Sequence, residues 1–466
     1  MSKKSRRRKQ AARNEISFQI EEQRPTRAFV LHVDFKSEAV RRAQGGGKTT
    51  GGRARHRDAA HKLQEALSLA SAIDLEIAGS LIVPLARVNP ATLFGSGKTR
   101  ELHGVFAAAD AELVIINSHL SPGQQRNLEK AWDVKVLDRT GLILEIFGRR
   151  ARTREGRLQV ELAHLNYQKT RLVRSWTHLE RQRGGFGFMG GPGETQIEAD
   201  RRLLTERIGK LTRQLAQVAR TRQLHRAARR KVPYPIVALA GYTNAGKSTL
   251  FNRLTQADVL VRDQLFATLD PAMRLIRLPH GRKVILSDTV GFISDLPTSL
   301  VAAFRATLEE VVEADIIVHV RDMSDEAEAG AQARDVAQVL AELGIGEARR
   351  SAMIEVWNKA DLWDGETRSR LATLAGRQDD AVITSALSGE GMGDLLALLE
   401  ARLAMEGKTR TITLPNSAGA DIAWLYRHGE VLARSGTGET TTLTLRLTQA
   451  ELSRAQSRFG ARIQET

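Results

Sequence analysis

The chain has no cysteine among its 466 residues, so it can form neither disulfide bridges nor thiolate metal sites. It also lacks any apolar run long enough to cross a bilayer. Its first residues, Met1 through Lys9, carry lysine and arginine where an export signal would need an apolar core. A cytoplasmic location is therefore the expectation. Acidic residues are in the minority, 54 against 70 lysines and arginines, which leaves a formal net charge of +16 and a pI near 10.3. That excess points to a polyanionic partner, and nucleic acid fits better than membrane because no amphipathic lipid-binding helix stands out. A chain of this length is expected to hold about three domains.

What is present is organised around Gly241, Tyr242, Thr243, Asn244, Ala245, Gly246, Lys247 and Ser248, which follow the apolar run 235–240 and precede a helix-like stretch from Thr249 to Leu254. A buried parallel strand, a glycine-rich turn and a helix make the P-loop context. Glycines at 241 and 246 let the backbone curl into a nest of N–H groups beside the positive end of a helix dipole, where phosphates bind. Lys247 is expected to reach the β- and γ-phosphates, and the Ser248 hydroxyl to be a hard oxygen ligand for Mg²⁺.

Three later stretches select the base and the reaction. Asp288 closes the apolar run 284–286 and is expected to hold Mg²⁺ through water, with Gly291 offering its N–H to the γ-phosphate. Asn358, Lys359, Ala360 and Asp361 close the run 353–357, and the Asp361 carboxylate can accept from guanine N1–H and the exocyclic amine, a donor pair adenine lacks. Ser385, Ala386 and Leu387 follow 382–384 and supply a backbone N–H for the guanine 6-oxygen. Between them, Phe266, Ala267, Thr268, Leu269 and Asp270 have the character of a switch loop, with Thr268 the expected second Mg²⁺ ligand and Thr255 its competitor. GTP is thus the expected substrate, ordering both loops and releasing them as GDP. Phe292 stands where Ras-like proteins place the glutamine that orients water, so slow unaided hydrolysis is expected, with acceleration by a partner.

The remaining chain divides by composition and periodicity. Residues 1–26 read as a disordered basic arm. Over 27–148, strands at 28–33, 77–83, 112–117 and 134–138 alternate with helices at 59–72, 98–109, 122–132 and 140–148, a small parallel α/β domain. It contains Gly95, Ser96, Gly97, Lys98 and Thr99, which mimic a second P-loop, but Thr92 falls where the first glycine belongs. A helix N-terminal turn or an RNA phosphate contact is the preferred reading there.

In 149–231 basic residues outnumber acidic ones roughly three to one. Leu158, Leu162, Leu165, Leu172, Trp176 and Leu179 form one a/d seam, and Ile197, Leu204, Ile208, Leu211, Leu215 and Val218 another. They predict an antiparallel helical hairpin of about 35 Å with a glycine-rich tip. Phe186, Phe188 and Met189 at that tip can stack on bases, with Arg181 and Arg183 adding charge, so an RNA probe is preferred over a plain connector. Residues 232–405 read as a doubly wound G domain and 406–466 as a small α+β piece with apolar runs at 411–414, 422–426 and 441–447 and a helix near 448–458.

The stretch from Gly184 through Gly-Phe-Gly-Phe-Met-Gly-Gly-Pro-Gly-Glu-Thr-Gln-Ile-Glu-Ala-Asp-Arg to Arg202 resembles the signature of the HflX GTPases, of the translation-factor-related class. The loop at Gly95 and the Asp288-Thr-Val-Gly-Phe292 form are similar to that family's as well, and the likeness covers nearly the whole chain. The resemblance implies a cytoplasmic GTPase that binds the large ribosomal subunit and its RNA, is stimulated by that subunit, and dissociates stalled or idle ribosomes. It also implies an N-terminal ATP activity, for which Thr92 departs from the P-loop pattern. A monomer is expected. The alternative from another class is an RNA-binding assembly factor that uses GTP as a timer.

Overall fold

The computed structural model describes residues 25–36, 59–182, 192–229, 234–256, 266, 271–294, 308–405, 408–447 and 449–465. The first layer is a four-stranded parallel sheet of β1 (Arg27–Phe35), β2 (Glu76–Leu85), β3 (Leu113–Asn117) and β4 (Lys135–Asp138), in the order β2-β1-β3-β4. Helices α1 (Ala59–Ser71), α2 (Ser96–Ala108), α3 (Pro122–Trp132) and α4 (Arg139–Arg150) connect or follow the strands. Central strand β1 buries six consecutive residues because both of its faces are covered, which is why it reads as an apolar run interrupted only by His32. One face is sealed by aromatic packing, Phe29 on Phe106 at 5.2 Å and Phe106 on Trp132 at 4.8 Å, both edge-on.

Two long helices follow, α5 (Arg154–Gln182) and α6 (Pro192–Arg229). At 1.5 Å per residue, α5 alone spans about 43 Å, longer than the seam spacing suggests. The reason is that α5 carries two faces. Val160 and Ala163 are buried in the core shared with α4, whereas the seam residues Leu158, Leu162 and Leu165 are half-buried, as Leu204, Ile208 and Leu215 are on α6. Leu211 is fully buried, and Arg207 on α6 grips Glu161 on α5 through Nε and Nη2 at 2.9 and 2.6 Å. The glycine-rich joint, with Arg183, Phe186, Phe188 and Met189, lies outside the described residues, and Arg181 is described only as backbone of α5.

The second sheet has six strands in the order β10-β9-β8-β5-β7-β6, with β5 (Ile236–Gly241) central, β6 (Ala272–Arg277) antiparallel at one edge, β7 (Lys283–Asp288), β8 (Ile316–Asp322), β9 (Ile354–Asn358) and β10 (Ala381–Ile383). Because every strand but β6 runs the same way, the loops after β5, β7, β9 and β10 emerge at one edge, where open α/β sheets bind ligands.

A last, antiparallel sheet is ordered β12-β13-β11-β14, from β11 (Lys408–Pro415), β12 (Glu430–Thr437), β13 (Thr440–Leu447) and β14 (Ile463–Glu465). The apolar run 422–426 lies within a helix, Gly419–His428, in which Trp424 stacks on His428 one turn later at 4.2 Å. No helix among the described residues is long and apolar enough to cross a membrane.

Candidate functional site

The loop after β5 has the backbone its sequence demands. Gly241 has φ 151° and Gly246 φ 92°, and a Cβ at either would sit 2.2 Å from the Val320 carbonyl oxygen or from Asn358 Nδ2 respectively. Asn244, with φ 59°, adds a left-handed position to the turn. Helix α7 (Lys247–Thr255) begins directly behind it. Lys247 is buried to 5% exposure, donates to the Tyr242 carbonyl at 2.6 Å, and is pulled down to about 8 by burial, against the opposing pull of Asp288. A cation held this way, buried with one backbone acceptor and only partly offset by Asp288, gains from an incoming phosphate.

Ser248 donates to Asp288 Oδ2 at 2.7 Å, so the two hard-oxygen groups expected around a divalent cation are adjacent, and Asp288 is fully buried. The donor set fits Mg²⁺. Next to it the loop after β7 is laced to the phosphate loop: Thr243 N–H donates to the Phe292 carbonyl at 2.7 Å and Phe292 N–H to Gly241 at 3.0 Å. A Cβ on Gly291 would meet Thr243 at 2.8 Å and Lys247 Nζ at 3.0 Å, so only glycine lets this strip lie against the loop. Thr249 follows Ser248 in the first turn of α7.

The base-side loops converge on the same place. Asn358, at 1% exposure, donates to the Ala245 carbonyl at 2.9 Å and accepts from Ala386 N–H at 2.9 Å and Thr384 Oγ1 at 3.2 Å, tying three loops with one amide. Ser385 donates to Asp361 Oδ1 at 2.5 Å, and Lys359, in a left-handed conformation with φ 68°, pairs with Asp322 at 2.6 Å. Leu387 is 71% exposed at the rim.

The switch residues divide. Ala267, Thr268, Leu269 and Asp270 lie outside the described residues. Phe266 packs edge-on against Phe147 of α4, with ring centroids 4.6 Å apart, inside a core that also holds Tyr242, Phe292 and Ile293. The aromatic at 292 is thus a seam residue between the first sheet's helices and the second sheet, buried to 1%. Its ring cannot orient water.

Sequence reading missed a buried polar cluster on the same seam. Tyr242 donates to Glu65 Oε1 at 2.6 Å and accepts from Ser294 N–H at 2.7 Å. Ser294 Oγ donates to Glu65 Oε2 at 2.7 Å, and Arg139 donates to the Ser294 carbonyl at 2.8 Å, to Asn117 at 2.6 Å and to Glu65 at 3.2 Å. Asn117 also meets His32, which burial and Lys62 hold down at about 4, hence neutral. The neighbour of Arg139, Asp138, is fully buried and accepts from Arg171 on α5 at 2.9 Å and from Tyr167 on α5. A single tyrosine in the phosphate loop was the available signal; Glu65 and Arg139 lie in unremarkable helical stretches.

Four family models match in succession along the chain: "GTP-binding GTPase N-terminal" over 60–148, "GTP-binding GTPase Middle Region" over 150–229, "50S ribosome-binding GTPase" over 236–359 and "HflX C-terminal domain" over 370–466. The protein named GTPase HflX of Magnetococcus marinus is 48% identical over 412 residues, covering 88% of this chain and 94% of that one. The chain belongs to the HflX family of GTPases. GTPase HflX of Escherichia coli is 45% identical over 361 residues, 77% of this chain and 82% of its own. A solved structure described as the complex of SsGBP and GDP is similar at 22% identity, with a TM-score of 0.45 over 81% of this chain and 98% of that one. The enzyme is accordingly a ribosome-associated GTPase.

Proposed function

We propose that this GTPase binds the large ribosomal subunit in the cytoplasm as a monomer, hydrolyses GTP there, and uses the GTP-bound state to dissociate stalled or idle ribosomes into subunits. The observation that carries the reading is a chain of buried and half-buried polar contacts, continued through the backbone from Arg139 to Asp138, that leads from the nucleotide loops to the long helices. It runs from Tyr242 and Ser294 through Glu65 and Arg139, and by the next residue, Asp138, to Tyr167 and Arg171 on α5. A change at the γ-phosphate, felt at Gly291, is three residues from Ser294, whose N–H, carbonyl and hydroxyl are all held by that path. The long basic helices then carry the change to RNA.

Within the site, the Gly241–Ser248 backbone and Lys247 bind the phosphates. Asn358, Asp361 and the Ser385–Leu387 loop select guanine. Ser248 and Thr268, with Asp288 through water, would hold Mg²⁺, which would supply positive charge to offset that of the phosphates. Phe292 cannot position the attacking water, so a polar group from the ribosome completes that step. Arg181, Arg183, Phe186, Phe188 and Met189 are the residues proposed to meet ribosomal RNA.

Sedimentation of intact ribosomes mixed with the protein and GTP tests this. Free subunits are expected with GTP and not with GDP, together with faster GTP turnover when large subunits are added. An unaltered ribosome peak with retained binding would replace the reading with that of an assembly factor.

A further inference from the structure

The guanine loop is held by an arginine that no motif includes. Arg253 sits in the last turn of α7, two turns beyond Lys247, and reaches across to the loop after β10. Its Nε donates to the Ala386 carbonyl at 3.3 Å and its Nη2 donates to the Leu387 carbonyl. Gly389, turning with φ 94°, lies against the guanidinium.

What this grip does follows from the hydrogen bonds of the loop. Ser385 N–H donates to Glu390 and Ala386 N–H to Asn358. Ser388 N–H donates to Ser385 Oγ and Gly389 N–H to the Ser385 carbonyl. Among the described residues, the Leu387 N–H alone of these five meets no protein acceptor. It belongs to the same planar trans peptide unit as the Ala386 carbonyl, so the two point in opposite directions. Fixing that carbonyl on Arg253 therefore fixes the direction of the donor. The second bond, to the Leu387 carbonyl, stops the next peptide from rotating.

We propose that Arg253 is a positioning residue for base recognition, which aims the Leu387 N–H at the 6-oxygen of guanine and ties the base loop to the helix that binds the phosphates. The inference rests on reading Ser385–Leu387 as the guanine loop. A planar fork with donors on separate nitrogens suits two successive carbonyls, whereas the three donors of a lysine ammonium all leave one nitrogen, which must reach both carbonyls from a single point.

The test compares GTP with 6-thio-GTP, which keeps the N1–H and 2-amine that Asp361 would read and replaces the 6-oxygen by a weak acceptor. Affinities are measured by calorimetry for the full chain and for Arg253→Ala and Arg253→Lys. In the unaltered protein GTP is expected to bind more tightly than the thio analogue. In Arg253→Ala the GTP affinity falls about tenfold, the analogue's falls less, and the ratio shrinks toward one. Arg253→Lys recovers part of the ratio, and kcat at saturating GTP stays within about twofold.

Equal loss for both nucleotides, or an unchanged ratio, overturns the proposal and leaves Arg253 a support of the fold. Should Arg253→Ala not fold, Arg253→Lys and Arg253→Gln read the same ratio. A protein that does not prefer GTP to ATP at all would instead remove the guanine loop reading itself.

Discussion

Two stretches of this chain spell nearly the same word, Gly-Lys-Ser at 246–248 and Gly-Lys-Thr at 97–99, and the fold treats them differently. At Gly246 the backbone is left-handed and a Cβ would collide with Asn358; at Gly97 a Cβ would meet nothing within 4 Å. Lys247 is buried and donates to the Tyr242 carbonyl, whereas Lys98 lies at the surface, paired with Glu101 one turn on at 2.6 Å. The first loop follows a central strand. The second follows an isolated bridge between Asn89 and Leu93, with Gly95 extended at φ −66° as the helix cap. A phosphate nest needs glycine where the backbone turns left-handed and a cation that gains from an incoming anion, and only the first loop offers both.

The comparison can be broken by substitution. Lys247→Ala should weaken GTP binding by roughly 100-fold, the loss of a buried, charge-assisted set of bonds, as read by calorimetry; a loss under tenfold would mean the buried lysine is structural. Next in size, Glu65→Ala takes away the carboxylate paired with Arg139, which keeps Asn117 and Ser294 as acceptors, and should cost about 2 kcal/mol of stability in urea titration. The same variant should retain GTP binding while losing GTP-dependent subunit release, and intact release would cut the path proposed from the nucleotide to the helices.

A smaller effect is expected from pH. Lys247 is depressed to about 8 in the free protein, and bound phosphate raises it, so above pH 8 the complex holds more protons than the free enzyme. Affinity should therefore fall as pH rises through that range, up to about tenfold per unit, with proton uptake visible as a buffer-dependent binding enthalpy. Smallest of all, Lys98→Ala should leave GTP affinity within about twofold, since its ion pair is exposed. A tenfold change would make the two loops partners after all.

Much of the candidate site was legible because it is local. A strand, a glycine turn and a helix follow one another in the chain, and parallel strands deliver their loops to one edge, so Lys247, Asp288, Asn358 and Ser385 could be brought together on paper. The helical hairpin was legible from its heptads, but not its length, since Val160 and Ala163 serve a second core. In the C-terminal sheet, the five-residue run 422–426 was too short to tell helix from strand, and the exposed, weakly apolar β12 left no pattern.

Residue types and spacing by themselves determined that a strand, a glycine turn and a helix would follow one another around 241–248, with the loops at 358–361 and 385–387 delivered to the same sheet edge, because backbone sterics and hydrogen-bonding chemistry act over a few residues. Only the tertiary structure decided that Phe266 and Phe292 face a core shared by two sheets, that Glu65 and Arg139 reach Tyr242 and Ser294, and that Arg253 holds the loop after β10. Those contacts join residues as far as 229 positions apart in the chain, from Glu65 to Ser294, and 134 apart from Arg253 to Leu387, and no local propensity encodes which side chains will meet across such a distance.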